Sequence, residues 1–217
     1  MKKTLIKILA FVTHPRRLCA EGSAIVASRL RIRKGTFFKT DHAEIKKSVF
    51  SVSGEGNRIE LGKADIYNST ILIEGSNCSL QIGDNTRIYN LKLQIKSDNC
   101  LVSIGQCTTF AGGTIVCAGN GNQITVGKRC MIAEGVDIWN SDTHMITIQG
   151  KEITNHQPIT IMDHVWLGKG ATVLKGVTIG ANAIVGMKSV VTHDINPGTV
   201  NAGVPAAEIR DGANWHR

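Results

Sequence analysis

Pro158–Ile195 reads PITIMDHVWLGKGATVLKGVTIGANAIVGMKSVVTHDI, and its rhythm decides the fold. Ile161, Leu167, Val173, Ile179, Val185 and Val191 recur every six residues without a break. Four positions after each stands a small or aliphatic residue: Val165, Ala171, Val177, Ala183, Ser189 and Ile195. A helix at 3.6 residues per turn scatters this pattern around its cylinder. A meandering sheet needs a turn signal such as Asn-Gly at each reversal, and none falls at the required intervals. A prism satisfies both beats. Three flat strands make a coil of roughly 18 residues, with one large aliphatic pointing inward per side and small residues near the corners.

The same phase continues upstream at Val126, Ile132 and Ile138, with Cys130 and Val136 on the second beat. Further back, Leu61-Gly62, Ile82-Gly83, Ile104-Gly105 and Val126-Gly127 recur at spacings of 21, 22 and 22 residues. Asn57, Asn77, Asn99 and Asn122 stand five or six positions before those glycines, and Ile88, Phe110 and Ile132 stand five after the last three. These are coils with a few extra residues at one corner. Glycine there serves a tight corner, where a Cβ clashes or φ turns positive. Coils stack at about 4.8 Å on parallel ladders, and stability comes from neighbour resting on neighbour. Aromatics at 5% and only 4 prolines agree, since a narrow prism is expected to have no room for rings. Between Ile138 and Ile161 the rhythm breaks, so residues 145–160, MITIQGKEITNHQPIT, read as an excursion loop where function is expected to sit.

The 217 residues suit one domain, and no apolar run approaches the roughly 20 residues of a membrane-spanning helix. The formal charge of +8 is uneven. Residues 1–50 hold 12 Lys/Arg and 3 Asp/Glu, whereas residues 51–217 hold 13 and 14. A near-neutral body argues against a nucleic-acid binder. Residues 1–34 read as helical. Leu5, Ile6, Ile8, Leu9 and Val12 make one apolar face beside Lys2, Lys3 and Lys7. A second stretch, Arg17 to Leu30, carries Ile25, Val26 and Leu30 against the cluster Arg29, Arg31, Arg33 and Lys34. Such an element either lies on a membrane surface or docks its apolar face on the body. The expected organisation is a basic, partly helical segment over 1–50, a repeat domain over 51–203, and a tail over 204–217. The start resembles a signal peptide, but Lys7 breaks its apolar stretch and His14-Pro15-Arg16-Arg17 replaces a small-residue cleavage site, so it reads as retained. Six cysteines without a CxxC pair indicate a reducing compartment.

The repeat resembles that of the hexapeptide-repeat acyltransferases, in which it folds as a left-handed parallel β-helix. Pro158–Arg210 is similar to the C-terminal half of that family, Ala202-Gly203-Val204-Pro205-Ala206 to its terminal signature, and Asn140-Ser141-Asp142-Thr143-His144 to its Ser-Asp-x-His segment. The resemblance implies an all-β, left-handed β-helical enzyme with a short helical N-terminal segment. It also supplies the handedness, because parallel crossovers are otherwise right-handed. The implied activity is acetyl-CoA-dependent O-acetylation of a sugar hydroxyl in a bacterial surface polysaccharide such as a capsule, O-antigen or exopolysaccharide. The alternatives are N-acetylation of an amino sugar, O-acetylation of a small molecule such as serine, and a non-catalytic β-helical scaffold. The implied assembly is a homotrimer with sites between subunits. The expected location is cytoplasmic, with peripheral contact on the inner membrane face through residues 1–34.

His144 falls on the six-residue phase and suits a general base. Asp142 is the candidate to orient it. Trp166 lies between inward Val165 and Leu167, so it points outward and needs cover. The resemblance places Trp166 beside acetyl-CoA, lines the pantetheine with Gly168, Lys169, Met187, Ser189 and Thr192, and sets Arg210 near the adenosine phosphates. Ala207 stands where the family often has Lys or Arg, leaving Lys169, Lys175 or Lys188 to replace it. Trp139, Asn140 and His156 are the candidate acceptor contacts. His164 and His193 are expected on exposed corners. The gaps between His144, His156 and His164 do not suit a zinc site, so no metal is expected.

Overall fold

The structure is a computed structural model that describes residues 11–13 and 18–217, with side chains from Ala20 onward. Among the described residues the chain forms three parallel sheets of nine, eight and ten strands, wound one strand per face per coil. The first face runs from Phe11–Thr13 through Arg29–Ile32, Val49–Val52, Thr70–Ile73, Leu91–Ile95, Gly113–Cys117, Val136–Trp139 and Thr172–Leu174 to Val190–Val191. The second holds Ser79–Ile82, Leu101–Ile104, Gln123–Val126 and Ile159–Ile161. The third holds Arg87–Tyr89, Met131–Ile132, Trp166–Leu167 and Ile184–Val185, and it ends in the only antiparallel step of the three, Val200–Gly203 against Ala206–Arg210.

The aliphatic beat fills the interior. Leu167, Val173 and Ile179 are fully buried, as are Val185 and Ile161 within a percent. Burying each such side chain contributes about 1.5–3 kcal/mol. The corners are lined by small polar residues that satisfy backbone N–H groups between coils. Ser48 N donates to Ser28 Oγ, Ser69 N to Ser48 Oγ, and Leu91 N to Ser69 Oγ, at 3.1, 3.1 and 3.2 Å. Cys130 holds an equivalent place, its N–H donating to Thr108 Oγ1 at 3.1 Å. Burial pushes its thiol up to about 11, so it packs as a small neutral group.

Several expectations change. The stretch read as a second helix, Arg17 to Leu30, is strand where described, at Leu18–Glu21, Ala24–Val26 and Arg29–Ile32. Ile25 and Leu30, taken as the apolar side of a helix, are fully buried in the solenoid core. The domain boundary near residue 50 therefore disappears: the coils of residues 18–50 stack in register on those that follow, with Ile45 beside Ile66 and Phe50 beside Ile71. A spacing of 18–20 residues with many charges hid these coils, because charged outward positions flank each inward aliphatic. The first helix reading, over Lys2 to Val12, falls outside the described residues except at Phe11–Thr13, which is strand.

The prism also has room for rings. Phe38, Phe50 and Phe110 are buried, and the first two meet edge to face at 5.7 Å. The corner glycines act by close approach. A Cβ on Gly105 would lie 2.6 Å from the carbonyl carbon of Gly127 in the next coil, whereas Gly105 has no positive φ. The excursion is shorter than 145–160 at its end, because Ile159–Ile161 is already a strand of the second face.

Candidate active site

The excursion is a two-stranded arm thrown from the corner between the first and second faces. Ile146–Ile148 pairs antiparallel with Lys151–Ile153. Gln149 and Gly150 turn between them at φ of 51° and 74°, the positive pair that a tight hairpin demands. At its root Asp142 N donates to Asn155 O at 2.7 Å, and Gln157 N to Asn140 O at 3.0 Å. Ser141 and His156 form a bridge between the two sides. Gln149-Gly150 between two β-branched runs was the sequence signal for this hairpin.

His144 stands exposed near that root, between Thr143 and the hairpin. Thr143 takes a left-handed conformation, and its N–H donates to Ser141 Oγ at 3.0 Å. Asp142 does not partner His144. Its carboxylate accepts a hydrogen bond from Lys175 Nζ on the next coil, and both side chains are only about a quarter exposed, at 27% and 21%. Lys175, left among the replacements for a phosphate contact, is instead the anchor of the arm. Trp139 faces outward beside the arm, in the ladder between Val116 and Leu174.

Two candidate acceptor contacts are used structurally. Asn140 is fully buried, its amide turned into the prism. Its Oδ1 accepts from Ala118 N at 2.8 Å, and its Nδ2 donates to Cys117 Sγ at 3.6 Å. Asn140 follows Cys117 in the inward column of the first face, so the alternation that exposes Trp139 buries Asn140. His156 packs on Gly119, where a Cβ would come within 2.1 Å of its ring, and its Nδ1 lies 2.7 Å from Asn155 Oδ1.

The remaining candidates lie elsewhere on the solenoid. Trp166 faces outward from the third face between Met131 and Ile184. The cover it requires is Trp215, with ring centroids 6.2 Å apart. Trp215 is itself 5% exposed, stacks on His164 at 4.2 Å, and donates from Nε1 to His164 O at 2.9 Å. His164 is thus half-buried under the tail, not free on a corner, whereas His193 is exposed. The tail continues to Arg217, whose guanidinium donates to the carbonyls of Cys107 and Cys130 at 2.9 and 2.8 Å. Gly168 and Ser189 are buried. Ser189 Oγ accepts from Gly203 N at 3.1 Å, which ties this buried side chain to the terminal strand. Lys169 is exposed and paired with Glu134 at 2.8 Å. That pairing holds the Glu134 carboxyl below the usual range. Met187 is 66% exposed, Arg210 is exposed, and Thr192 Oγ1 lies 2.8 Å from His193 Nδ1. Among the described residues, no three His, Cys, Asp or Glu side chains converge as a metal site requires.

Within one chain, then, Trp139 ends its strand on the first face and His144 follows at the root of the arm, whereas Trp166 stands on the third face. Residues 158–193 match the family described as bacterial transferase hexapeptide (six repeats). The matched segment makes up C-terminal coils of the solenoid, whose fold is that of the left-handed β-helix acetyltransferases. The polysialic acid O-acetyltransferase of Neisseria meningitidis is 36% identical over 129 residues, a match covering 58% of this chain and 59% of that one. A putative acetyltransferase of Schizosaccharomyces pombe is 40% identical over 89 residues, covering 40% of this chain and 42% of the relative. The chain thus matches about half the length of these curated relatives. The crystal structure of the polysialic acid O-acetyltransferase OatWY superposes with a TM-score of 0.77 at 29% identity, covering 94% of this chain and 92% of that one.

Proposed function

We propose that the protein is an acetyl-CoA-dependent O-acetyltransferase that modifies a sugar hydroxyl of a bacterial surface polysaccharide, with His144 as general base. The observation that carries this reading is the presentation of His144: an exposed imidazole at the root of a braced arm, beside the outward ring of Trp139. A base must reach the acceptor hydroxyl, and a rigid element presents it better than a free loop. In the reaction His144 takes the hydroxyl proton as the acceptor oxygen attacks the thioester carbonyl carbon. The carbon–sulfur bond breaks and the acetyl group passes to oxygen. The proton returns from the imidazolium to the departing thiolate. Trp139 offers an apolar face on which a pyranose ring stacks.

The donor is read at the C-terminal coils. There exposed Met187 and the backbone of Gly168 border the corner between the third and first faces, and Arg210 offers a cation for phosphate. Because these groups and His144 lie at different corners of one prism, the reading requires two neighbouring subunits to build each site. A homotrimer provides that arrangement. The similarity to polysialic acid O-acetyltransferase, in sequence and in structure, supports a polymeric saccharide as acceptor.

The test is His144→Ala, followed by acetyl transfer from acetyl-CoA to bacterial surface glycans. Loss of transfer by about 10³-fold or more is expected, with circular dichroism and oligomeric state unchanged. Near-normal transfer by the variant removes His144 from the chemistry.

A further inference from the structure

The uneven charge of the chain has a place on the solenoid. Arg29, Arg31, Arg33 and Lys34 are all exposed, and the first three share the outward side of the first face. Arg31, Arg33 and Lys34 line a shallow depression with Ser51 and Ser53 of the next coil. Lys92 and Lys96 lie farther along the same face, both exposed.

Some outward cations of the early coils are neutralised by a neighbouring carboxylate. Lys46 is paired with Glu44 on the third face and Arg58 with Glu60 on the second. On the first face Arg33 is paired with Glu55 at 2.6 Å, while Arg29, Arg31 and Lys34 form no ion pair among the described residues. Residues 1–19 contain no Asp or Glu to supply one. The facing carboxylates farther along are Glu74 and Asp137, one exposed and one half-buried.

The ladder register connects this basic end to the candidate site. Arg31 stacks on Ser51, then Leu72, Gln94, Val116 and finally Trp139. Five coil steps at about 4.8 Å separate Arg31 from Trp139, roughly 24 Å along one flat surface. Along this line Arg31 is exposed, Ser51, Leu72, Gln94 and Trp139 are half-buried and Val116 is buried, and the arm leaves at Ser141, beyond Trp139.

We propose that this face is a docking track for an anionic polysaccharide, with its basic end gripping the chain and its far end delivering a sugar to Trp139 and His144. The delivery half of this inference rests on the reading of His144 given above; the grip does not. The cations attract a polyanion at long range and hold it by many weak contacts. Hydroxyl and amide groups such as Ser51 and Gln94 offer partners to sugar hydroxyls between them. The depression at the basic end is rimmed by charged and hydroxyl side chains, a lining that suits a hydrophilic polyanion.

The experiment uses the full chain and the triple variant Arg29→Thr, Arg31→Thr, Lys34→Ser, with circular dichroism as the folding control. Affinity electrophoresis through polysialic acid, with neutral dextran in parallel, reads the grip without acetyl-CoA. Polysialic acid is expected to retard the wild-type protein and dextran is not. The triple variant's apparent Kd for polysialic acid is expected to rise about tenfold. His144→Ala is expected to bind like the wild type, so a failed catalytic assignment leaves this measurement intact. In acetyl-transfer assays KM for long chains rises in the triple variant, whereas kcat and the use of short oligosaccharides do not change. Equal retardation of wild type and triple variant, or no retardation of either, overturns the track. A loss confined to phosphatidylserine vesicles reassigns the patch to a membrane.

Discussion

Lys175 Nζ donates a hydrogen bond to the Asp142 carboxylate, joining the root of the arm to the next coil of the solenoid. The carboxylate that precedes His144 by two residues is therefore a brace. The two groups come from neighbouring coils, so the pair ties the orientation of the arm to the rigid stack. Partly exposed pairs of this kind contribute up to about 1 kcal/mol each, which is enough to fix a short loop but little of the global stability.

This assignment predicts a specific kinetic pattern. Asp142→Asn and Lys175→Met are expected to lower kcat by about tenfold or less, and the double variant by no more than either alone. An aspartate that orients a catalytic imidazole directly shows a loss nearer 10⁴-fold on replacement by Asn. Steady-state kinetics of the three variants separate the two roles. A loss of that larger size confined to Asp142→Asn sinks the brace.

Asn140 is expected to matter for stability and not for acceptor affinity. In Asn140→Ala the Ala118 N–H loses its buried acceptor, which costs about 1–3 kcal/mol. Chemical denaturation reads the loss, and KM for the acceptor stays at the wild-type value. A raised KM with unchanged stability places Asn140 in the groove instead.

Gly105 and Gly121 make a paired test of the corners. A Cβ at Gly105 meets the backbone of Gly127 and Lys128 at 2.6–2.7 Å, whereas nothing lies within 4 Å of one at Gly121. Gly105→Ala is expected to destabilise by about 2–3 kcal/mol, since backbone cannot yield as a side chain can. Gly121 sits at φ +72°, so Asn, which tolerates that region, is expected to replace it at about 1 kcal/mol or less. Thermal melts compare the two, and equal shifts contradict the close-approach account.

Trp215 is the keystone of the tail. Trp215→Ala removes a ring that is 5% exposed and is expected to cost about 3 kcal/mol. It also uncovers Trp166 and His164, so the remaining tryptophan emission shifts to longer wavelength before the main unfolding transition. Unchanged emission and melting temperature show that the tail does not cover the third face.

The period of six from Ile161 to Val191 determined a three-sided parallel solenoid by itself, because no other regular structure returns every sixth side chain to one interior. It also determined the break that became the arm, and His144 was legible because its motif stands at that break. The Ile25 and Ile45 coils were not legible. Their charged outward residues resemble one side of an amphipathic helix, and only stacking on Ile66 shows them to be strands. Neighbours that are distant in sequence were likewise decided by the tertiary structure alone. Lys175 reaches Asp142 across 33 positions, and Trp215 covers His164 across 51. A local repeat specifies how each coil turns. Which polar groups meet across coils, and which outward rings are covered, depends on registers and on a returning tail that no local pattern encodes.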